Sequence, residues 1–321
     1  MPEALATLKL FGGLVYLLMG GDLLVRSAIG LSKRTQVSPT LTGLTIVAAG
    51  TSAPELMVSI YSAISGFSDI ALGNVIGSNI ANILMVLGVP ALIAPMACEE
   101  ADVRSQSLFM LGISVLFAGL CWLGSLGRLD GTLLLGVLVV GAILATRGRL
   151  SMPGVDPEEA REQLTAVLGI PGSRRLIGLF GALGLVMLPL GADLTVEGAV
   201  HLARSLEVGE AVIGASLIAI GTSLPELSTT VVAAYHRSTG VAFGNVIGSN
   251  VLNILAIIGT TAVITPIPVA PSLLAYDLWV MLAATAGLTL LIFRGTVLRR
   301  PLGVAMLVAY VLYLGILYRP A

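Results

Sequence analysis

Two short runs of residues with hard-ligand chemistry occur twice in this chain. Gly50-Thr51-Ser52-Ala53-Pro54-Glu55 returns 171 residues later as Gly221-Thr222-Ser223-Leu224-Pro225-Glu226. Gly73-Asn74-Val75-Ile76-Gly77-Ser78-Asn79, followed by Asn82, returns at the same offset as Gly244-Asn245-Val246-Ile247-Gly248-Ser249-Asn250, followed by Asn253. Each copy supplies a carboxylate, hydroxyls, amides and backbone carbonyls, and neither contains sulfur or imidazole. That is a set for a hard cation. Calcium takes about six to eight oxygens in flexible geometry, sodium accepts a similar shell with less charge, and zinc or copper would ask for Cys or His. Two carboxylates carry a charge that one Ca²⁺ or two Na⁺ neutralise.

The neighbours of these groups explain how they would be presented. Pro54 and Pro225 lack an N–H, and their rings clash with the carbonyls four residues back, those of Gly50 and Gly221, so each helix is expected to open there. A freed carbonyl in hydrocarbon is costly unless something satisfies it, and a cation does. Glu55 and Glu226 follow directly, at a depth where an ionisable group marks a functional site. Gly73, Gly77, Gly244 and Gly248 let another backbone come close. Ser78 and Asn82 are four residues apart, as are Ser249 and Asn253, so each pair projects from one helix face. Asn74, Asn79, Asn245 and Asn250 are expected to be scaffold that holds the interrupted helices.

The elements that must position these groups are membrane spans. Of 321 residues, 56% are hydrophobic and 11% charged, and the mean hydropathy is +0.99. Soluble domains carry about 25% charged residues. Apolar stretches long enough to span a bilayer recur throughout, at roughly 4–30, 40–64, 70–97, 105–124, 130–147, 173–203, 211–235, 241–267, 273–293 and 301–319. The first is long enough to be a spanning helix rather than a cleaved signal. The fold class read from this is an all-α polytopic membrane protein, with ten transmembrane helices as two inverted five-helix repeats. Residues 1–147 form the first repeat, 148–172 a linker and 173–321 the second. Five spans per half is odd, so the second half enters the membrane from the opposite side. Residues 71–88 match 242–259 at 12 of 18 positions without a gap, and inverted repeats point to a secondary transporter with its site at mid-membrane. With the N-terminus outside, 13 Lys and Arg fall on inside loops and 4 outside. The positive-inside rule then puts both termini outside and the 148–172 linker in the cytoplasm of a cell (inner) membrane protein.

Both motif pairs resemble the two alpha-repeats of the calcium/cation antiporter superfamily, in particular its sodium/calcium exchanger branch in the compact prokaryotic form. The resemblance covers essentially the whole chain. It implies alternating-access export of Ca²⁺ in exchange for Na⁺, at about three Na⁺ per Ca²⁺. It also implies a central site of Glu55, Glu226, Asn82 and Asn253, with Thr51 and Thr222 giving backbone oxygens to calcium. Ser52, Ser78, Ser223 and Ser249, with the carbonyls of Ala48 and Ala219, would serve flanking sodium sites. Several family members have Asp where Asn253 stands. The two-fold Asn leaves two formal negative charges and argues against potassium co-transport. A proton/calcium antiporter is the alternative, and a cation channel a further one, although channels usually place acidic rings around an oligomeric axis.

Little else in the sequence competes with this reading. A net charge of −1 gives no field for nucleic acid. The expected partners are Na⁺, Ca²⁺ and the lipid bilayer, with no cofactor and no obligate protein partner. An enzyme would need a nucleophile and base or a His-rich metal site, and His201 and His236 are expected on solvated loops. Cys98 and Cys121 fall at opposite helix ends, which argues against a disulfide. The Glu99-Glu100-Asp102 cluster is read as a solvated face. Asp22 and Asp193 also stand at the repeat offset. Asp22 is four residues before Arg26, a favourable helix pair, whereas Asp193 has Glu197 at that position.

Overall fold

Long apolar runs broken by Gly, Pro and Asn become helices with defects at those residues. In the computed structural model, residues 2–35, 52–97, 101–146, 173–235 and 239–318 are described. The helices are α1 (Glu3–Thr35), α2 (Ala53–Ile64), α3 (Ser68–Ile93), α4 (Ala101–Cys121), α5 (Arg128–Thr146), α6 (Arg174–Ser205), α7 (Glu210–Thr222), α8 (Leu224–Tyr235), α9 (239–264), α10 (Leu273–Phe293) and α11 (Arg300–Leu317). Two dipeptide strands, β1 (Ser125–Leu126) and β2 (Ile267–Pro268), pair antiparallel. An isolated bridge joins Met96 to Leu298. Ile267 is Met96 plus the 171-residue offset, so the two bridges occupy equivalent places in the two halves of the chain.

Among the described residues seven helices are long and apolar enough to cross a membrane, and eight if the bent pair α7–α8 is one span. This is fewer than the ten expected spans. The span expected over 40–64 is described only as α2, because 36–51 lie outside the described residues. Exposed Leu8, Leu129, Leu185 and Val311 give the outer helix faces an apolar surface suited to hydrocarbon. The protein is a mostly helical, multi-pass membrane protein.

The centre is built by close backbone contact. A Cβ on Gly73 would meet the Ala211 carbonyl oxygen at 2.6 Å, and one on Gly77 the Ala215 carbonyl oxygen at 2.5 Å. The Gly-x-x-x-Gly pattern is therefore an internal seam between α3 and α7. The two longest helices, α1 and α6, have 33 and 32 residues and pack along each other. Leu10, Leu14 and Leu17 of α1 join Ala53, Val58, Leu188, Val196 and Val200 in one buried apolar cluster, and a second, larger cluster surrounds α3 and α9.

Candidate ion-binding site

Each glutamate stands in the first turn of a helix. Ser52 is the N-cap of α2, with Pro54 and Glu55 immediately inside it. In the second half α7 ends at Thr222, Ser223 is the break, and α8 carries Pro225 and Glu226 in its first turn, bent by 44° from α7. At Pro225 the expected opening is thus a one-residue break, and both prolines stand at a helix start, where the missing N–H has no helical partner to lose. Gly50, Thr51 and Ala48 lie outside the described residues. Ala219, Gly221 and Thr222 lie on α7, all buried. The Ala219 carbonyl accepts from the Ser223 N–H at 3.1 Å and the Thr222 hydroxyl at 3.4 Å.

Glu55 and Glu226 are both fully buried and within electrostatic reach of each other, and the Thr222 hydroxyl donates to the Asn74 side-chain oxygen at 3.2 Å. Asn74 and Asn245 fix the two helix starts in the same way. Asn74 donates to the Glu55 backbone carbonyl at 3.4 Å and to Ser59 at 3.2 Å. Asn245 donates to the Glu226 carbonyl at 3.1 Å and to Thr230 at 2.9 Å. These are scaffold contacts, as expected, and they also set where each carboxylate begins.

The other amides cross between the halves. Asn82 donates to the Asn250 side-chain oxygen at 3.0 Å and Asn253 to the Asn79 side-chain oxygen at 3.0 Å. Asn250 and Asn79 in turn donate to each other's backbone carbonyls at 3.2 and 3.4 Å. The nitrogen ends of Asn82 and Asn253 are therefore held, and their oxygens remain without a hydrogen-bond partner among the described residues. A feature absent from the sequence reading sits here: Asn82 and Asn253 each open a π-helical turn, Asn82–Val86 and Asn253–Ile258. Such turns interrupt the normal ladder and recur at functional sites. Gly244 and Gly248 are buried on α9 beside this crossing.

The serines divide unequally. Ser52 and Ser249 donate to one oxygen of Glu226 at 3.3 and 3.4 Å. Their counterparts by the repeat offset, Ser223 and Ser78, are buried and make no hydrogen bond through their hydroxyls among the described residues, and neither oxygen of Glu55 does so. Six oxygens from Glu55, Ser78, Asn82, Ser223 and Asn253 are thus buried without hydrogen-bond partners. Leaving such groups unsatisfied costs about 1–3 kcal/mol each. Oxygen-coordinated cations would answer such groups, and the donor set fits them.

Elsewhere Asp22 pairs with Arg26 at 2.8 Å, as its spacing implies. Asp193 accepts a hydrogen bond from Tyr61 of α2, a partner the sequence did not suggest, since the position equivalent to Tyr61 is Val232 and the repeat conceals it. His201 is half-buried in a cavity beside Asp193 rather than on a fully solvated loop. Cys121 is buried as a free thiol. Cys98, Glu99, Glu100 and His236 lie outside the described residues.

This arrangement has relatives. The inner membrane protein YrbG of Escherichia coli (strain K12) is 33% identical over 98% of this chain and 97% of its own length. The sodium/calcium exchanger MaX1 of Methanosarcina acetivorans is 34% identical over 95% and 96%. A solved structure of the sodium–calcium exchanger NCX_Mj superposes with a TM-score of 0.64 at 26% identity, covering 98% of this chain and 99% of that one. Residues 5–147 and 176–319, which hold both glutamate helices and both asparagine crossings, match the sodium/calcium exchanger protein family, and the chain belongs to that family.

Proposed function

We propose that the protein exports Ca²⁺ in exchange for Na⁺, with about three Na⁺ per Ca²⁺, by alternating access in an inner or plasma membrane. The observation that carries this reading is the set of buried oxygens around Glu55 and Glu226, contributed by both halves and held by reciprocal asparagine bonds. Family membership supports the ion class. Glu55, Glu226, Asn82 and Asn253 bind calcium, with the Thr51 and Thr222 backbone oxygens. Ser52, Ser78, Ser223, Ser249 and the carbonyls of Ala48 and Ala219 serve sodium. In this reading the halves 1–147 and 173–321 are inverted five-helix repeats joined by a cytoplasmic 148–172 linker, and both termini face outward.

The mechanism follows from charge. α2, α3, α7, α8 and α9 form the ion-holding core, and α1 and α6 slide across it. Two buried carboxylates without cations resist being moved beneath apolar surface, since burying a net charge is expensive. Bound ions neutralise them and permit the movement, which favours exchange over leak. The test is calcium-45 uptake into proteoliposomes under an imposed sodium gradient. Sodium-driven uptake that is lost in Glu226→Gln is the expected result. Uptake driven by a proton gradient and not by sodium would replace sodium as the driver, and near-normal exchange in Glu226→Gln would overturn the site.

A further inference from the structure

Beyond the ion site, the helices around it are tied to one another differently at their two ends. A cavity of about 360 Å³ opens between α2 and α6 and is lined by Tyr61, Asp193, Glu197, His201 and Arg204. Across it the Tyr61 hydroxyl donates to Asp193, and Lys9 of α1 pairs with Glu197. Val196 and Val200, 1% and 6% exposed, also line the cavity. They belong to the apolar cluster that includes Leu14. Leu14 in turn packs on Gly221: a Cβ added there would lie 2.6 Å from its methyls. Gly221 immediately precedes Thr222 and Ser223. The polar lining thus gives way to buried Val196 and Val200, the apolar plug of the cavity, and their cluster reaches the helix break through Leu14 and Gly221.

Among the described residues the equivalent position in the repeat lacks the same tie. By the 171-residue offset Asp193 corresponds to Asp22, Tyr61 to Val232 and Glu197 to Arg26. Asp22 pairs within its own helix, to Arg26 at 2.8 Å, and Val232 has no hydroxyl to offer. Two identical inverted halves would give two access states of equal free energy. Residues that break the symmetry decide their ratio. Tyr61 lies six residues from Glu55 on α2, about 9 Å along the helix axis, so the bond acts on the element that carries the carboxylate.

We propose that the Tyr61–Asp193 hydrogen bond is a one-sided latch, which ties the Glu55 helix to the long helix α6 over the Val196–Val200 plug and sets the balance between the two access states. As a statement about access states it rests on the exchanger reading. As a statement about the α2–α6 seam it can be tested whatever ion drives transport.

The experiment uses the full chain in proteoliposomes with Val200→Cys as reporter and Cys98 and Cys121 replaced by Ser. A membrane-impermeant maleimide is applied from the cavity face. Tyr61→Phe removes the hydroxyl and keeps the ring, and should label Val200→Cys about tenfold faster, the factor expected for one lost charge-assisted hydrogen bond. The ratio of half-saturating sodium concentrations on the two faces should shift by a similar factor. Asp193→Asn keeps an acceptor oxygen and should fall between the two. Labelling and sodium ratio that both change by less than about twofold, in variants that retain the parent's thermal stability, overturn the latch. Absence of sodium-driven flux in the parent protein would overturn the exchanger reading instead, and the labelling comparison would still decide whether the latch exists.

Discussion

Asn79 and Asn250 each use both ends of their amide. One end donates to the other's backbone carbonyl, and the oxygen accepts from Asn253 or Asn82 across the molecule. The consequence is directional: with their nitrogens fixed, Asn82 and Asn253 keep their oxygens for another partner. Asn250→Leu should release the Asn82 amide and raise the half-saturating calcium concentration about tenfold, the equivalent of roughly 1–2 kcal/mol. The decisive measurement is a double-mutant cycle with Asn82→Ala on calcium affinity. Additive effects would mean that Asn250 does not orient Asn82. The doubled motif made Glu55, Glu226, Ser78, Ser249, Asn82 and Asn253 legible as candidate site residues, because residue type and repetition are local properties. Which end of each amide is held and which is left without a partner was not legible. It depends on partners 168 or 174 residues away, and no spacing rule encodes such an approach. The unequal serines were hidden for the same reason: Ser52 and Ser223 are identical in sequence and differ only in what the fold places near them.

Helices α3 and α7 owe their close approach to side chains that are missing. A Cβ at residue 77 would fall on backbone atoms of Ala215, which cannot rotate away as a flexible side chain can. Gly77→Val should therefore destabilise the protein by about 3 kcal/mol or more, the range of overpacking a tight core. Gly112, with open space around its Cα, provides the control: Gly112→Val should stay within about 0.5 kcal/mol. Thermal unfolding in detergent checks both, and equal shifts for the two variants would contradict the seam. Helix positions were largely visible as apolar runs, and the proline breaks as Pro54 and Pro225. The π-helical turns at Asn82 and Asn253 were not. Asn-Ile-Leu reads as ordinary helix, and no local spacing rule marks the widened turn.

For the molecule as a whole, the proposed function makes bound cations part of the packing. An ion that binds the folded protein and not the unfolded chain stabilises it by about 2.7 kcal/mol at a hundred times its dissociation constant. Calcium should raise the melting temperature of the purified protein, and Glu55→Gln should abolish most of that increase while leaving the ion-free melting temperature the same or higher. An unchanged calcium response in the variant would remove Glu55 from the site. The two-fold repetition of the chain was plain from the 171-residue offset. The places where the molecule departs from its own symmetry were not, since Tyr61 has no copy to draw attention to it.

The crossed asparagines bear also on how the protein comes into being. Asn82 is aligned by Asn250, and Asn253 by Asn79, so neither half completes the proposed site alone. During synthesis the first half enters the bilayer with Asn74 already held by Ser59 and the Glu55 carbonyl, whereas Asn82 has no Asn250 to meet until the ribosome has delivered the second half. The newborn half-protein is a polar wound in a lipid environment. Its survival depends on rapid arrival of the second half or on shelter by the insertion machinery. A ribosome stalled between the halves should yield a fragment that is degraded rather than a small transporter.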